Sequence, residues 1–444
     1  MKLYPNSKVY ILCPGNLKTG GPESLHQLAS VLISFGVETY MVYAALESIP
    51  LDKENPVHDA YKKYHVPYTY EIENSQRNVA IIPETITAFE IKNIRHVIWW
   101  MSVDNYLKNL INVLKGQLSK PLANPLPRFF TFDKADKSIE HWGQSEYVRQ
   151  FLRLNGVTNI KTVETHMSQI FLTAKVDLSA KKNIVAFNPI KGFEVTQQLI
   201  KLEPDLDWRP IMGMTPAQVR ELLAQAKVYI DFGEFPGRER LPREAILSGC
   251  VVITGKRGAS ANDVDINIPN EFKFSLDDSV PYQVIVKIKE VFEDFDTAYA
   301  KQKAFRDRER NAQKNFVEEV AQAFSIKKIS RGVVALLQAF GDKGSLLVER
   351  LKKESLKPGF IVDDMMSTAD MAELSEGLIV REQNRNYLRD GKNFVEIISR
   401  DDAKFLYLEG RIKSFVLLDP SDAELNELEN FYGARDEDKL IFNL

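Results

Sequence analysis

Residues 8–44 read KVYILCPGNLKTGGPESLHQLASVLISFGVETYMVYA. KVYILC is apolar and β-branched, as a buried strand requires, and PGNLKTGGP is a glycine-rich loop. The segment that follows has Leu25, Leu28, Ala29 and Leu32 on one helical face, with Pro22 suited to the first turn and Gly36 to the end. ETYMVYA then reads as a second strand. Strand, helix and strand at this spacing make a βαβ unit, and therefore a parallel sheet.

The alternation continues outward from this unit. NVAIIPE (78–84), a helix-sized gap and RHVIWW (95–100) follow, with polar SVDNY directly after the strand. Residues 116–130 hold three prolines and read as a surface loop, and KSIEHWGQSEYVRQFLRLNGV gives a short strand and a helix ending at Gly156. A second series begins at NIVAFNP (183–189). It runs through the helix KGFEVTQQLIKL, a strand near WRPIMG, the helix TPAQVRELLAQA, the strand KVYIDFG, the loop and helix PGRERLPREAILSG and the strand CVVITGK. Residues 282–340 read as mainly helical, with charges of both signs that suit solvated packing helices. After a turn-like break at 341–344, FVEIIS, AKFLYLE and SFVLLD read as strands. The expected fold is α/β: Rossmann-like domains at 1–175 and 176–340 facing a cleft, and a small α+β or α/β appendage at 345–444.

Composition narrows the function. With 444 residues, 44% hydrophobic, 27% charged and a net charge of -3, the chain is neither disordered nor fibrous. Cys13 and Cys250 cannot form a disulfide framework and lack zinc-site spacing, so a reducing, cytoplasmic setting is expected. The apolar run at 9–13 is too brief for a signal-peptide core, and no stretch approaches the roughly 20 apolar residues of a membrane helix. The charge divides unevenly, -7 over 345–444 and +4 over the remainder. The body could accept a small anion, whereas the acidic tail argues against nucleic acid.

Four segments could carry chemistry. Thr19-Gly20-Gly21-Pro22-Glu23 reads either as a tight turn or as a ligand loop in which Gly20 and Gly21 let backbone N–H groups approach an anion at a helix start. Asn188-Pro189-Ile190-Lys191-Gly192 puts a lysine at a strand's carboxyl end, placed for a diphosphate or simply exposed in a turn. In the densest segment, FPGRERLPREAILSGC (235–250), Arg238, Arg240 and Arg243 lead into a helix start bearing Glu244. Guanidinium donors beside a carboxylate that can accept two hydroxyls suit a nucleotide sugar, while ion pairing at a solvated helix start is the plainer reading. Trp99-Trp100-Met101-Ser102-Val103-Asp104 ends a strand aimed at the cleft. There one Trp could stack on a sugar, with at least one in the core, and Asp104 could cap the next helix. The histidines show no metal-ligand spacing and read as structural; no nucleophile triad or P-loop motif appears.

On these residues, 8 to about 335 resembles a GT-B glycosyltransferase. The resemblance implies two Rossmann-like domains, the second holding the donor. LPREAILSGCVVITGKRG is similar to the end of the retaining group's E, seven residues, E donor segment, with Glu244 matching the second glutamate, which that family uses on the donor ribose. Pro236 stands where the first glutamate would, so that position does not transfer, and PGRER could replace it with an arginine grip on phosphate. Lys191 matches the family's diphosphate lysine; the usual upstream arginine is replaced by Asn188, for which Arg240 or Lys256 could compensate. Asp104 resembles the polar residue that touches donor sugar or acceptor.

The expected function is metal-independent transfer of a sugar, hexosyl or pentosyl, from a nucleoside-diphosphate donor to an acceptor hydroxyl, without a resident cofactor. Lys191, Arg240, Gly20 and Gly21 would stabilise the leaving diphosphate, Glu244 would hold the ribose, and Asp104 would orient sugar or acceptor. Asn188, Gly192, Arg238, Arg243 and Lys256 complete the expected donor site, with retention and inversion both open. The resemblance favours a bacterial surface polysaccharide or a lipid- or protein-linked glycan as acceptor. A modified DNA base, a nucleotide-sugar epimerase and a non-catalytic carbohydrate- or nucleotide-binding scaffold are the alternatives.

Overall fold

The computed structural model describes residues 1–45, 51–86, 91–114, 130–132, 138–277, 279–326, 333–337, 347, 350–351, 358–364, 379–382, 385–390 and 393–442. The loop read at 116–130 falls, but for its last residue, outside them, and the break read at 341–344 falls outside them entirely. By internal contacts the chain divides into two units: Met1–Leu25, Val42–Glu54 and Thr69–Ile326 form the first, and His26–Met41, Asn55–Tyr68 and Lys327–Leu444 the second.

The first unit holds two α/β layers. One is a six-stranded sheet in the order β2-β1-β3-β4-β5-β6, built from β1 (Lys8–Pro14), β2 (Glu38–Ala44), β3 (Val79–Pro83), β4 (Arg95–Trp100), β5 (Glu140–Gly143) and β6 (Ile160–Thr162). From β1 to β6 every neighbouring pair is parallel. The other is a parallel five-stranded sheet in the order β11-β10-β9-β7-β8: β7 (Lys182–Phe187), β8 (Asp207–Pro210), β9 (Ala226–Asp231), β10 (Val251–Gly255) and β11 (Lys273–Phe274). The expected α/β class with two Rossmann-like halves is what the chain adopts. Continuous apolar runs such as VAIIP and VVITG are buried along their whole length, as interior parallel strands covered on both faces must be.

Three readings are corrected in this unit. Helix α1 (Gly20–Ser34) begins at the glycine pair, so Gly20 and Gly21 form its first turn and not the preceding loop. The helix-sized gap after β3 opens instead with a 3-10 turn, Glu84–Ile86, which tightens the chain around a buried carboxylate. Trp99 and Trp100 are both fully buried, and each indole N–H has a protein acceptor, Val163 O at 2.9 Å and His141 Nδ1 at 2.9 Å. Trp99 stacks on Phe316 and Trp100 packs among Tyr106, Phe130 and Phe132, so neither ring is left for a sugar.

The second unit is built on a seven-stranded sheet, β14-β15-β16-β13-β12-β17-β18. These strands are β12 (Val333–Leu337), β13 (Pro358–Val362), β14 (Ile379–Glu382), β15 (Arg385–Asp390), β16 (Asn393–Ile398), β17 (Ile412–Leu418) and β18 (Lys439–Phe442). The β14-β15 and β15-β16 pairs are antiparallel and the others parallel. FVEIIS and SFVLLD fall on β16 and β17 as expected, but AKFLYLE is helical, within Arg400–Leu408. Ser399 caps that helix, its Oγ accepting from Asp402 N at 3.1 Å; Asp401 and Asp402 favour the first turn, and Ala403 and Leu406 bury one face.

Within this unit, His65 ties residues 55–68 to the sheet. The buried ring has Nδ1 2.7 Å from Glu396 Oε1 and Nε2 3.0 Å from Asp402 Oδ2. Two nitrogens facing two carboxylates require both to carry protons. Burial alone lowers the His65 pKa, but Glu396 and Asp402 outweigh it and raise it above the ordinary 6.5. Arg385 lies 3.5 Å from Glu396 Oε1, Arg411 donates to Tyr64 O, and Lys63 acts on Asp402. A raised folded-state value gives stability that is full below the unfolded value and is lost as pH rises through the folded one. Hydrogen exchange of residues 55–68 should therefore quicken beyond its intrinsic rise as pH is raised above about 6.5, with a slope of up to about 1.4 kcal/mol per pH unit. In His65→Gln that extra slope should vanish.

Candidate functional site

The second half presents the ends of β7 and β9. Asn188 Oδ1 accepts from Ile190 N at 3.0 Å and Lys191 N at 3.4 Å, which folds the chain back after β7 and leaves Lys191 partly exposed. Gly192 then takes φ +64° and caps the helix α6 (Phe193–Leu202). A Cβ there would overlap the Phe232 carbonyl, so the Lys191 turn and the β9 end meet backbone to backbone. Asp231 shapes the β9 end: Gly233 N donates to its Oδ1 at 2.9 Å and the Tyr229 hydroxyl to Oδ2 at 2.8 Å. Burial pushes its carboxyl up to about 6, against the pull of those hydrogen bonds and of Lys191. Lys191 Nζ lies 3.0 Å from Glu239 Oε2.

The arginine-rich segment divides in two. Arg238 and Arg243 show no exposed side-chain surface. Arg238 pairs with Glu164 and Glu309, while Arg243 donates to Glu309 Oε2 at 2.6 Å, Thr165 Oγ1 at 3.1 Å and Thr165 O at 2.5 Å. Glu309, on the helix Lys303–Ala323, sits behind the loop and turns both guanidiniums away from solvent. Burial, with Arg238 beside it, lowers Arg243 to about 10, while Arg238 and Arg243 together hold Glu309 below the usual carboxylate range despite its own burial. These arginines anchor the loop. Arg240, in contrast, remains about a third exposed at the start of α8 (Arg240–Leu247). It reaches Glu244 Oε1 at 3.2 Å and pairs with Glu23 on α1. Burial raises the Glu244 carboxyl, opposed by Arg240.

The first half meets this face at a glycine and a strand end. A Cβ on Gly20 would stand 3.0 Å from Arg240 Cδ, whereas one on Gly21 would stand 3.8 Å from Met101 Cε, within its own half. Met101 O accepts from Gln144 Nε2 and lies where a Cβ on Gly237 would overlap it, and Val103 N donates to Pro236 O at 3.1 Å. Glu84, missed in the sequence, holds this turn by accepting from Met101 N at 2.9 Å; burial pushes its carboxyl up to about 7 against the pull of backbone donors. The helix α3 (Val103–Leu114) is capped by Ser102, whose Oγ accepts from Asn105 N at 3.2 Å, so Asp104 is not the cap. Asp104 is raised by burial first and by Glu234, with Lys191 opposing and Glu239 reinforcing the rise, which marks it as facing the second half's loops.

Gly20, Gly21, Asp104, Asn188, Lys191, Gly192, Arg240 and Glu244 therefore come to facing carboxyl ends of two parallel sheets, where open α/β folds bind ligands. Arg238 and Arg243 lie beneath that face. Lys256 is exposed beyond β10, its backbone N–H bonded to Phe274 O at 2.8 Å, and the adjacent Arg257 is the residue that pairs with Glu234, at 2.6 Å. Asp231 and Glu84 each end a strand run, a signal that could have flagged them. Glu309 is one charge among many in its helix and offered none. Among the described residues, no group of three His, Cys, Asp or Glu side chains could hold a metal ion.

No family model matches the chain, and no curated protein matches it. Solved structures do. HepE of Anabaena in complex with UDP-glucose is 13% identical, covers 72% of this chain and 99% of its own, and gives a TM-score of 0.47. A glycosyltransferase from Rickettsia africae is 12% identical over 72% of this chain and 97% of its own, TM-score 0.45. Sucrose-phosphate synthase from Thermosynechococcus elongatus is 14% identical over 72% and 97%, TM-score 0.45.

Proposed function

We propose that the chain is a glycosyltransferase of GT-B architecture that moves a sugar from a nucleoside-diphosphate donor to an acceptor hydroxyl. One observation carries this reading: Arg240, paired with Glu244 in one half, meets Gly20 and Glu23 of the other, whose Asp104 feels the charges of Lys191 and Glu239 across the same strand ends. Breaking the sugar–phosphate bond places negative charge on the departing diphosphate. Lys191, Arg240 and the N–H groups of α1's first turn are the donors suited to receive it. Glu244, at the start of α8, accepts the ribose hydroxyls. Asp104, its carboxyl raised by burial and by neighbouring carboxylates, orients the sugar or takes the acceptor proton, and Arg238 and Arg243 hold the loop in position.

The nucleotide sugar is a substrate, and the reading needs no resident cofactor or protein-bound metal. A glycan hydroxyl, free, lipid-linked or protein-linked, is the proposed acceptor. Among the described residues no helix is long and apolar enough to cross a membrane.

Titration of uridine, guanosine and adenosine diphosphates into the full chain tests the donor site. Lys191→Ala should weaken the preferred nucleotide at least about tenfold, the scale of a lost charge-assisted contact to phosphate. Glu244→Gln should weaken the nucleotide but not inorganic diphosphate, because only the nucleotide brings a ribose. Unchanged affinity in both variants would remove the donor-site assignment.

A further inference from the structure

Two cations of the proposed donor site already have carboxylate partners. Arg240 holds Glu23 and Glu244, and Lys191 holds Glu239. The partners of Arg240 differ in kind. Glu244 is on the same helix four residues on, whereas Glu23 reaches Arg240 from the other half of the unit. Glu23 also lies in the first turn of α1, where backbone N–H groups favour negative charge, and only 14% of its side chain is exposed. Its carboxylate thus draws on the same two sources of positive potential, the Arg240 guanidinium and the α1 N-terminus, that a diphosphate would use.

We infer that Glu23 is an internal anion that competes with the donor's diphosphate for Arg240 and so sets the affinity of the site. This rests on the donor-site reading above and goes beyond it. Diphosphate binding becomes an exchange in which phosphate oxygens take the Arg240 Nη1 contact that Glu23 makes. The exchange discriminates by charge, since a ligand must offer Arg240 more than one carboxylate does. A single phosphate gains little, and a diphosphate, with more charge and more acceptor oxygens, gains most. A Glu23 that held a substrate hydroxyl, or that only kept Arg240 in place, would have the opposite effect on removal.

The sign of one substitution decides between these roles. Glu23→Gln keeps size and removes charge, so inorganic diphosphate and the preferred nucleoside diphosphate should both bind about tenfold tighter to it than to the unaltered chain, the scale of one half-buried ion pair. The gain should shrink as salt is raised. Inorganic phosphate should change less than diphosphate. If Glu23→Gln does not fold, as judged by its thermal unfolding, Glu23→Asp tests the same sign, because its shorter arm holds Arg240 Nη1 less well. Equal or weaker diphosphate binding by the variant, with binding intact in the unaltered chain, overturns this inference alone. Failure of the unaltered chain to bind any diphosphate overturns the donor-site reading and this inference with it.

Discussion

Gly192→Ala should abolish nucleotide binding and lower the stability of the second half more than any substitution at an exposed site residue. At φ +64° an alanine is strained by about 1–3 kcal/mol before any contact is considered. Its Cβ would also overlap the Phe232 carbonyl and approach Gly233 N at 2.7 Å. These are backbone atoms of a strand end pinned by Asp231, so no side-chain rotation relieves the overlap. Forcing the two segments apart adds about 1–3 kcal/mol, as for other overpacked sites. Relief would come by moving Lys191 and Asn188, the residues that should meet the diphosphate. Urea unfolding followed together with nucleotide titration checks both effects. By contrast, Gly156→Ala, at φ +82° with nothing within 4 Å of its Cβ, should show the backbone strain alone.

Glu309→Gln should destabilise the first unit by about 3–5 kcal/mol, the usual cost of stripping one partner from a buried ion cluster. The change removes the buried negative charge and replaces one of the two acceptor oxygens with an NH2 donor, so Arg238 and Arg243, which each hold one Glu309 oxygen, are left with a single amide oxygen between them. A double variant, Arg243→Met with Glu309→Leu, removes a charge of each sign together and should unfold at a higher urea concentration than Glu309→Gln. A single variant within about 1 kcal/mol of the unaltered chain, a range typical of surface ion pairs, would show that the cluster does not anchor the loop.

Both outcomes depend on features that differ in how far the sequence discloses them. The two parallel sheets were legible because VYILC, VAIIP, IVAF and VVITG are uninterrupted apolar runs punctuated by glycine and proline, the pattern of strands buried on both faces. Position after such strands also pointed to Lys191, Asp104 and Arg240, since the carboxyl end of a parallel strand is where side chains reach a ligand. Arg238 and Arg243 could not be told from Arg240, because what buries them is Glu309, 71 and 66 residues further along the chain. Trp99 and Trp100 alternate, and alternation alone would turn one of them outward; Phe316 over Trp99 and Tyr106, Phe130 and Phe132 around Trp100 bury both, and the strand's own pattern does not name those partners. AKFLYLE is short enough to satisfy either period, and it was the Ser399 cap with two aspartates behind it that settled the helix. The His65 clamp was out of reach for the same reason as Glu309, its partners standing 331 and 337 residues away.

Release of nucleoside diphosphate from a panel of nucleotide sugars, followed for the unaltered chain beside Lys191→Ala and Asp104→Asn, addresses the central claim most directly. At least one donor should be turned over by the unaltered chain. Lys191→Ala should lose about two orders of magnitude or more in rate, the scale of removing one donor to developing negative charge, and Asp104→Asn should lower the rate with donor affinity retained. A chain that binds nucleotide yet releases no diphosphate from any donor, with and without added glycan acceptors, or whose turnover ignores both substitutions, would contradict glycosyl transfer at this site.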